Sequence, residues 1–200
     1  MVRFSDRSKS IRPTGVRRMF DMAGDDAVQF GLGEPDFQPP ELAVEAFARA
    51  MREGRNKYTT TAGLPPLRQK IAEMWHHCIP TLDESNVCIT MSGTNALLDI
   101  FLAIVNPGDK VMIPEPYFPL YPPDVVICGG EPSFYPCRFE NGFVPAIEDL
   151  EEVVDDSTVA ILYNFPSNPT GGNVDERQRD ELVEFARAND LWLITDEVYD

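Results

Sequence analysis

The sequence predicts an α/β protein, three layers deep, with a mostly parallel sheet between helices. Three observations carry this. Short apolar runs of strand length alternate with amphipathic stretches of helix length over most of the chain. The runs TVAILY (158–163) and LWLIT (191–195) are continuously apolar, as parallel strands covered on both faces are. The residues with chemical character follow directly on such runs, where open α/β sheets bind their ligands.

Taken in order, AVQF (27–30) is strand-like, and PPELAVEAFARAMREG (39–54) is an amphipathic helix with Ala43, Phe47, Ala50 and Met51 on one stripe. Leu64, Leu67, Ile71 and Trp75 repeat at spacings of three and four and predict a second helix. A short strand is expected at VCITM (87–91), then a helix from about Thr94 to Val105. KVMIPE (110–115) and DVVICGG (124–130) read as strands, followed by TVAILY, a helix over Glu176 to Ala188, and LWLIT. No internal repeat or low-complexity linker interrupts the series. The chain stops at Asp200, five residues past LWLIT, with no helix to cover that strand. An uncovered parallel edge exposes apolar surface and unpaired backbone, so the sequence is expected to be the front part of a longer protein.

Composition narrows the class. With 43% apolar residues in 200, the chain can fill a real core. No stretch approaches the roughly 20 apolar residues of a membrane span, and MVRFSDRSKSIRP has no apolar signal core behind its charges. A cytoplasmic protein is expected. Asp and Glu outnumber Lys and Arg 33 to 17, a net charge of −16 that argues against nucleic acid or an anionic membrane as partner. The acidic run at 148–156 reads as a solvated face. Cys78, Cys88, Cys128 and Cys137 form no CxxC pair, so neither disulfides nor a zinc site is expected, and no other metal is implied. Three of the four sit in or beside apolar runs, where a free cysteine behaves as a small hydrophobe. His76 and His77 share the helix of Trp75 with no Ser, Cys or second ligand nearby, and read as surface or packing residues.

Four segments fall at strand ends: GLGEPDF (31–37), SGTNA (92–96), NFPSNPTGG (164–172) and DEVY (196–199). SGTN opens a helix, so its backbone N–H groups and the hydroxyls of Ser92 and Thr94 face an anion; the same residues also make an ordinary N-cap. It is not a P-loop, since no Gly-Lys-Ser/Thr follows, and GLGEPD lacks the third glycine of a dinucleotide fingerprint. In NFPSNPTGG, Pro166 and Pro169 fix φ while Gly171 and Gly172 open backbone geometry closed to other residues. Such a loop holds one shape. Asp196, at the end of an apolar strand, needs a cationic partner or caps a following helix. A carboxylate facing a heteroaromatic ring nitrogen keeps that nitrogen protonated, which is how proteins make pyridoxal phosphate an electron sink.

SGTNA, PYFPLY (116–121), NFPSNPTGG and DEVY, in this order and at these separations, resemble the class I/II aminotransferases, pyridoxal-phosphate enzymes of fold type I. GEPDF (33–37) resembles aspartate-type and aromatic-type members. The resemblance implies residues 1–40 as an N-terminal arm and small-domain segment, and 41–200 as an incomplete cofactor-binding large domain. It implies Ser92, Gly93 and Thr94 as the cofactor-phosphate cradle and Phe118 as the aromatic stacked on the pyridine ring, where many relatives carry Tyr or Trp. Asn168 would bond the ring hydroxyl, Tyr199 share it, and Asp196 partner the ring nitrogen. Gly33 would lie by the substrate carboxylate, and Tyr58 would reach the phosphate of the other subunit in a homodimer with composite active sites. The Schiff-base lysine and the carboxylate-gripping arginine of the family would lie beyond Asp200. Lys9, Lys57, Lys70 and Lys110 all precede the ring-binding residues. The parent protein is therefore expected to transaminate an amino acid with a 2-oxo acid, and the 200 residues alone are not. A lyase or decarboxylase of the same fold would share these motifs, and a non-catalytic ligand-sensing module is compatible with the unseen lysine.

Overall fold

The computed structural model describes residues 2–11, 15–22, 24, 26–28, 33 and 35–199. By backbone contacts it forms two compact units, Met1–Ala23 with Ser92–Asp200 and Gly24–Met91. The first carries the sheet. The helices α1 (Asp6–Ser10) and α2 (Gly15–Met22) precede the second unit, which holds α3 (Glu41–Arg52) and α4 (Pro65–Trp75). The chain then runs α5 (Gly93–Ile104), β1 (Lys110–Glu115), α6 (Tyr121–Ile127), β2 (Glu131–Pro136), α7 (Ile147–Glu151), β3 (Thr158–Tyr163), α8 (Glu176–Ala188) and β4 (Trp192–Thr195).

The four strands among the described residues are all parallel, in the order β2-β1-β3-β4. The chain moves outward from β1 to β2, then returns to place β3 on the other side of β1. That reversal is the crevice-forming point of an open α/β sheet. Side chains alternate along the two central strands as the pleat requires. Val111, Ile113, Ala160 and Leu162 join Leu97, Phe101 and Val105 of the α5 region and Tyr121 and Val125 of α6 on one face. Met112, Ile161 and Tyr163 join Leu150 of α7 and Leu182, Phe185 and Ala186 of α8 on the other. Three layers result, as expected. Each fully buried aliphatic side chain here contributes about 1.5 to 3 kcal/mol. The Tyr135 hydroxyl, wholly buried, is satisfied by donating to the Leu162 carbonyl at 2.7 Å.

Two local expectations are corrected. DVVICGG is not a strand: α6 covers its first four residues. Pro122 and Pro123 occupy the first helical turn, where a missing N–H costs nothing, and Gly129 at φ +92° turns the chain out. The strand instead forms at EPSFYP, an edge position that tolerates Pro132 and Pro136. VCITM is extended but unpaired as a strand; within its unit the Ile89 N–H donates to the Ala62 carbonyl at 3.0 Å and the Val87 carbonyl accepts from Arg68 Nε at 2.8 Å. Gln29 and Phe30 of AVQF, together with Gly31, Leu32 and Glu34 of the following segment, lie outside the described residues.

The acidic run is solvated except at Asp149, which is 9% exposed and ion-paired with Arg138. Cys78 and Cys88 are exposed rather than packed, and all four cysteines are free. Burial pushes the Cys137 thiol up to about 12, so it stays protonated. No helix among the described residues is long and apolar enough to cross a membrane.

Candidate functional site

A cleft of about 160 Å³ opens past the carboxyl ends of β1, β3 and β4. It is lined by Gly93, Thr94, Leu97, Phe118, Tyr121, Asn164, Asn168, Asp196, Val198 and Tyr199, all from the sheet-bearing unit. Six of these ten are residues that the sequence singled out. Wider grooves of about 910 and 620 Å³ run beside α8, but their walls are its acidic surface and the sheet edge, without the convergent groups found here.

Each side chain has a local reason for its place. Ser92 caps α5, its Oγ accepting from the Asn95 N–H at 3.1 Å, so Gly93 and Thr94 form the first turn with N–H groups free of intrahelical partners by geometry. A Cβ on Gly93 would meet nothing nearer than Val198 Cγ2 at 4.0 Å, so the space beside this helix start is open. Phe118 is half-buried and packs edge-on against Tyr121 at 5.4 Å between centroids.

The loop after β3 is closed on itself. The Gly171 N–H donates to the Ser167 carbonyl and the Ser167 N–H to the Gly172 carbonyl, both at 2.9 Å. Gly171 sits at φ +71°, and a Cβ on Gly172 would stand 2.9 Å from the Gly142 carbonyl oxygen. The loop is thereby braced by its own backbone and lies close against that of Gly142. It presents Asn168, whose Nδ2 donates to the Tyr199 hydroxyl at 3.2 Å. The pair share a polar point at the cleft wall.

Asp196 follows β4, its N–H donating to the Tyr163 carbonyl at 2.8 Å as the last rung of the ladder. Its Oδ2 accepts from the Tyr121 hydroxyl at 2.7 Å. Burial, and then the Asp196 carboxylate, raise the Tyr121 phenol far above its usual range, so it remains a donor. Asn164, 2% exposed, donates from Nδ2 to the Asp196 carbonyl at 3.0 Å and accepts the Asn168 N–H on Oδ1 at 2.9 Å. Tyr121 and Asn164 were not foreseen as site residues. The signal was available: both lie inside the motifs PYFPLY and NFPSNPTGG.

Among the expected site residues, Gly33 and Tyr58 belong to the other compact unit and do not line this cleft. Gly33 is exposed coil, and Tyr58 is fully exposed between α3 and α4. No lysine lines the cleft; Lys9 pairs with Asp6, Lys70 with Glu73 and Lys110 with Asp155.

The family model described as aminotransferase class I and II matches residues 25–200. The chain belongs to this family. Among curated aminotransferases, it is 36% identical over 195 residues to the probable aspartate/prephenate aminotransferase of Aquifex aeolicus, covering 97% of this chain and 47% of that one. It is 32% identical over 200 residues to aromatic-amino-acid aminotransferase 2 of Thermococcus litoralis, covering 98% and 51%. The aspartate aminotransferase of Thermus thermophilus solved with maleate superposes with a TM-score of 0.93 at 32% identity, over all of this chain and 54% of that one. The alanine aminotransferase of Pyrococcus furiosus superposes at 0.91 and 34% identity, covering 99% and 53%. The chain thus spans about half the length of the aminotransferases it matches.

Proposed function

We propose that the parent protein is a pyridoxal-phosphate-dependent aminotransferase acting between an amino acid and a 2-oxo acid, and that these residues build most of its cofactor cleft. The observation that carries the reading is the meeting of Asp196, Asn168, Tyr199, Phe118 and the start of α5 in one cleft. The donor set fits the cofactor: a carboxylate suits a ring N–H, a carboxamide and phenol suit a ring hydroxyl, and an open helix start suits a phosphate. When bound, pyridoxal phosphate supplies a ring that accepts negative charge from the substrate Cα.

The residues of this chain divide the work of holding it. Asp196 keeps the proton on the ring nitrogen, and Tyr121, donating to Oδ2, fixes the carboxylate's orientation. Asn168 and Tyr199 would hold the ring oxygen, and Phe118 would stack on the ring and exclude water from it. Ser92, Gly93 and Thr94 receive the phosphate with N–H groups and hydroxyls.

The reading includes residues 1–40 as an arm and small-domain segment, Gly33 beside the substrate carboxylate, and Tyr58 at the phosphate of a second subunit in a homodimer. The Schiff-base lysine and the carboxylate-binding arginine belong to the part of the parent outside these 200 residues. A cytoplasmic location accords with four free cysteines. The test is keto-acid formation by the full-length protein from a panel of amino acids, with and without a 2-oxo acid acceptor. Continued transamination requires the acceptor; ammonia or carbon dioxide released without it, or keto acid beyond one equivalent per site, refutes the proposal.

A further inference from the structure

Asn164 is the first residue past β3, and both ends of its carboxamide are used on backbone groups that belong to different cofactor-facing segments. Oδ1 takes the N–H of Asn168, four residues on; Nδ2 takes the carbonyl of Asp196, 32 residues on. Because the Asp196 N–H already closes the ladder onto Tyr163, the Asn164 side chain adds the next rung between the two strand ends where no backbone rung forms. The requirement is specific. A carbonyl and an N–H must be met by a donor and an acceptor on one short planar group, which ionised Asp, Ser and Ala cannot supply. At 2% exposure, water does not replace either bond.

We infer that Asn164 is a positioning residue: it fixes the separation of Asn168 from Asp196, and through that separation sets how tightly the pyridine ring is held. The inference rests on the cofactor reading above. It assigns Asn164 no contact with the ring, since its polar atoms are committed to the backbone.

The probe is pyridoxamine 5′-phosphate, which needs no Schiff base, bound to the full-length protein and measured by equilibrium dialysis. Inorganic phosphate, read as its competitor, reports the phosphate end of the site without the ring. Asn164→Ala should weaken pyridoxamine 5′-phosphate about tenfold, the scale on which supporting residues act on a ligand site, and leave the phosphate constant unchanged. In an Asn168→Ala background, the same substitution should cost much less, because one of the two groups it positions is gone. Asn164→Asp keeps the shape and the acceptor but turns an oxygen toward the Asp196 carbonyl, so it should lose affinity too and answers the question if Asn164→Ala does not fold. Wild-type affinity in both variants, or an equal loss for phosphate, overturns the inference while leaving the cofactor reading intact. A wild-type protein that fails to bind pyridoxamine 5′-phosphate overturns the cofactor reading, and the inference with it.

Discussion

Asp124 gives the sharpest test of how the sheet-bearing unit is held together. It lies in the first turn of α6, is 7% exposed, and its Oδ2 is buried without a hydrogen-bond partner. Burial raises its carboxyl from 3.8 to about 6. The folded state therefore holds the proton more tightly than the unfolded chain, so the contribution of this group to stability is fully present below about pH 4 and is lost as pH rises through 6. The shift corresponds to about 3 kcal/mol at 1.36 kcal/mol per pH unit, and proximity to the surface lowers this to about 2. The α6 N-terminus favours the charged form by about 0.3 to 1 kcal/mol, which leaves a net cost of 1 to 2 above pH 7. Asp124→Asn removes the titration but brings a buried amide with its own unmet donors. The expected result in urea unfolding followed by circular dichroism is a stability difference, variant minus wild type, that rises by about 1 to 2 kcal/mol between pH 4 and pH 7 and is flat beyond. A difference that does not change over this range would show that the Asp124 carboxyl is hydrated or paired in solution, and the reasoning would fail.

Further outcomes follow from the cleft. In the full-length protein, Asp196→Ala should raise the barrier to turnover by several kcal/mol and Asn168→Ala by about 1 to 3, since Tyr199 still holds the ring oxygen; equal, small effects would remove the roles assigned. The 200-residue chain, treated with pyridoxal phosphate and borohydride, should give no stoichiometric adduct on a single lysine by mass spectrometry, because none lines the cleft. Gly172→Ala should destabilise by about 1 to 3 kcal/mol, as its Cβ would crowd the Gly142 carbonyl at 2.9 Å; unchanged melting would mean the loop yields. Mixing Tyr58→Ala with Asp196→Ala under subunit exchange should restore about a quarter of wild-type activity if Tyr58 serves the partner's site, since half the dimers are mixed and each has one intact site. Activity that stays at the level of the separate variants despite proven exchange would mean that Tyr58 acts within its own subunit or is only structural, and the composite-site claim would fail.

How much was legible depends on the range over which each feature is decided. The runs at β1, β3 and β4 and the helices α3, α4, α5 and α8 are local patterns, and the structure places them where the sequence does. The segment DVVICGG is β-prone by composition, yet two prolines and Asp124 start a helix there, and packing of Tyr121 and Val125 on the sheet decides it. EPSFYP, with Pro132 and Pro136 in six residues, becomes a strand through its pairing with β1. In the site, Asn168, Asp196 and Tyr199 were legible through motifs. Tyr121 and Asn164 act through partners 75 and 32 residues away, and no spacing rule reports such contacts.

The polar groups of the cleft sit at the ends of strands whose interior residues are fully buried, and this placement has an energetic logic. Val111, Met112, Ile113, Ile161 and Leu162 are inaccessible to water, so the strand ends cannot shift without disturbing two cores at once. The same burial makes any unmet polar group just past those ends expensive, by about 1 to 3 kcal/mol each. Tyr121 and Asn164 satisfy Asp196 Oδ2, the Asp196 carbonyl and the Asn168 N–H, while Asp196, Asn168 and Tyr199 themselves line the cleft. The atoms held by Tyr121 and Asn164 are thus saturated by protein, and on the proposed reading the other polar atoms of the lining residues are left for a ligand. Losing a saturating residue should therefore show as looser ring binding before it shows as lost fold, because the cores hold the strands while the crosslink between their ends is gone.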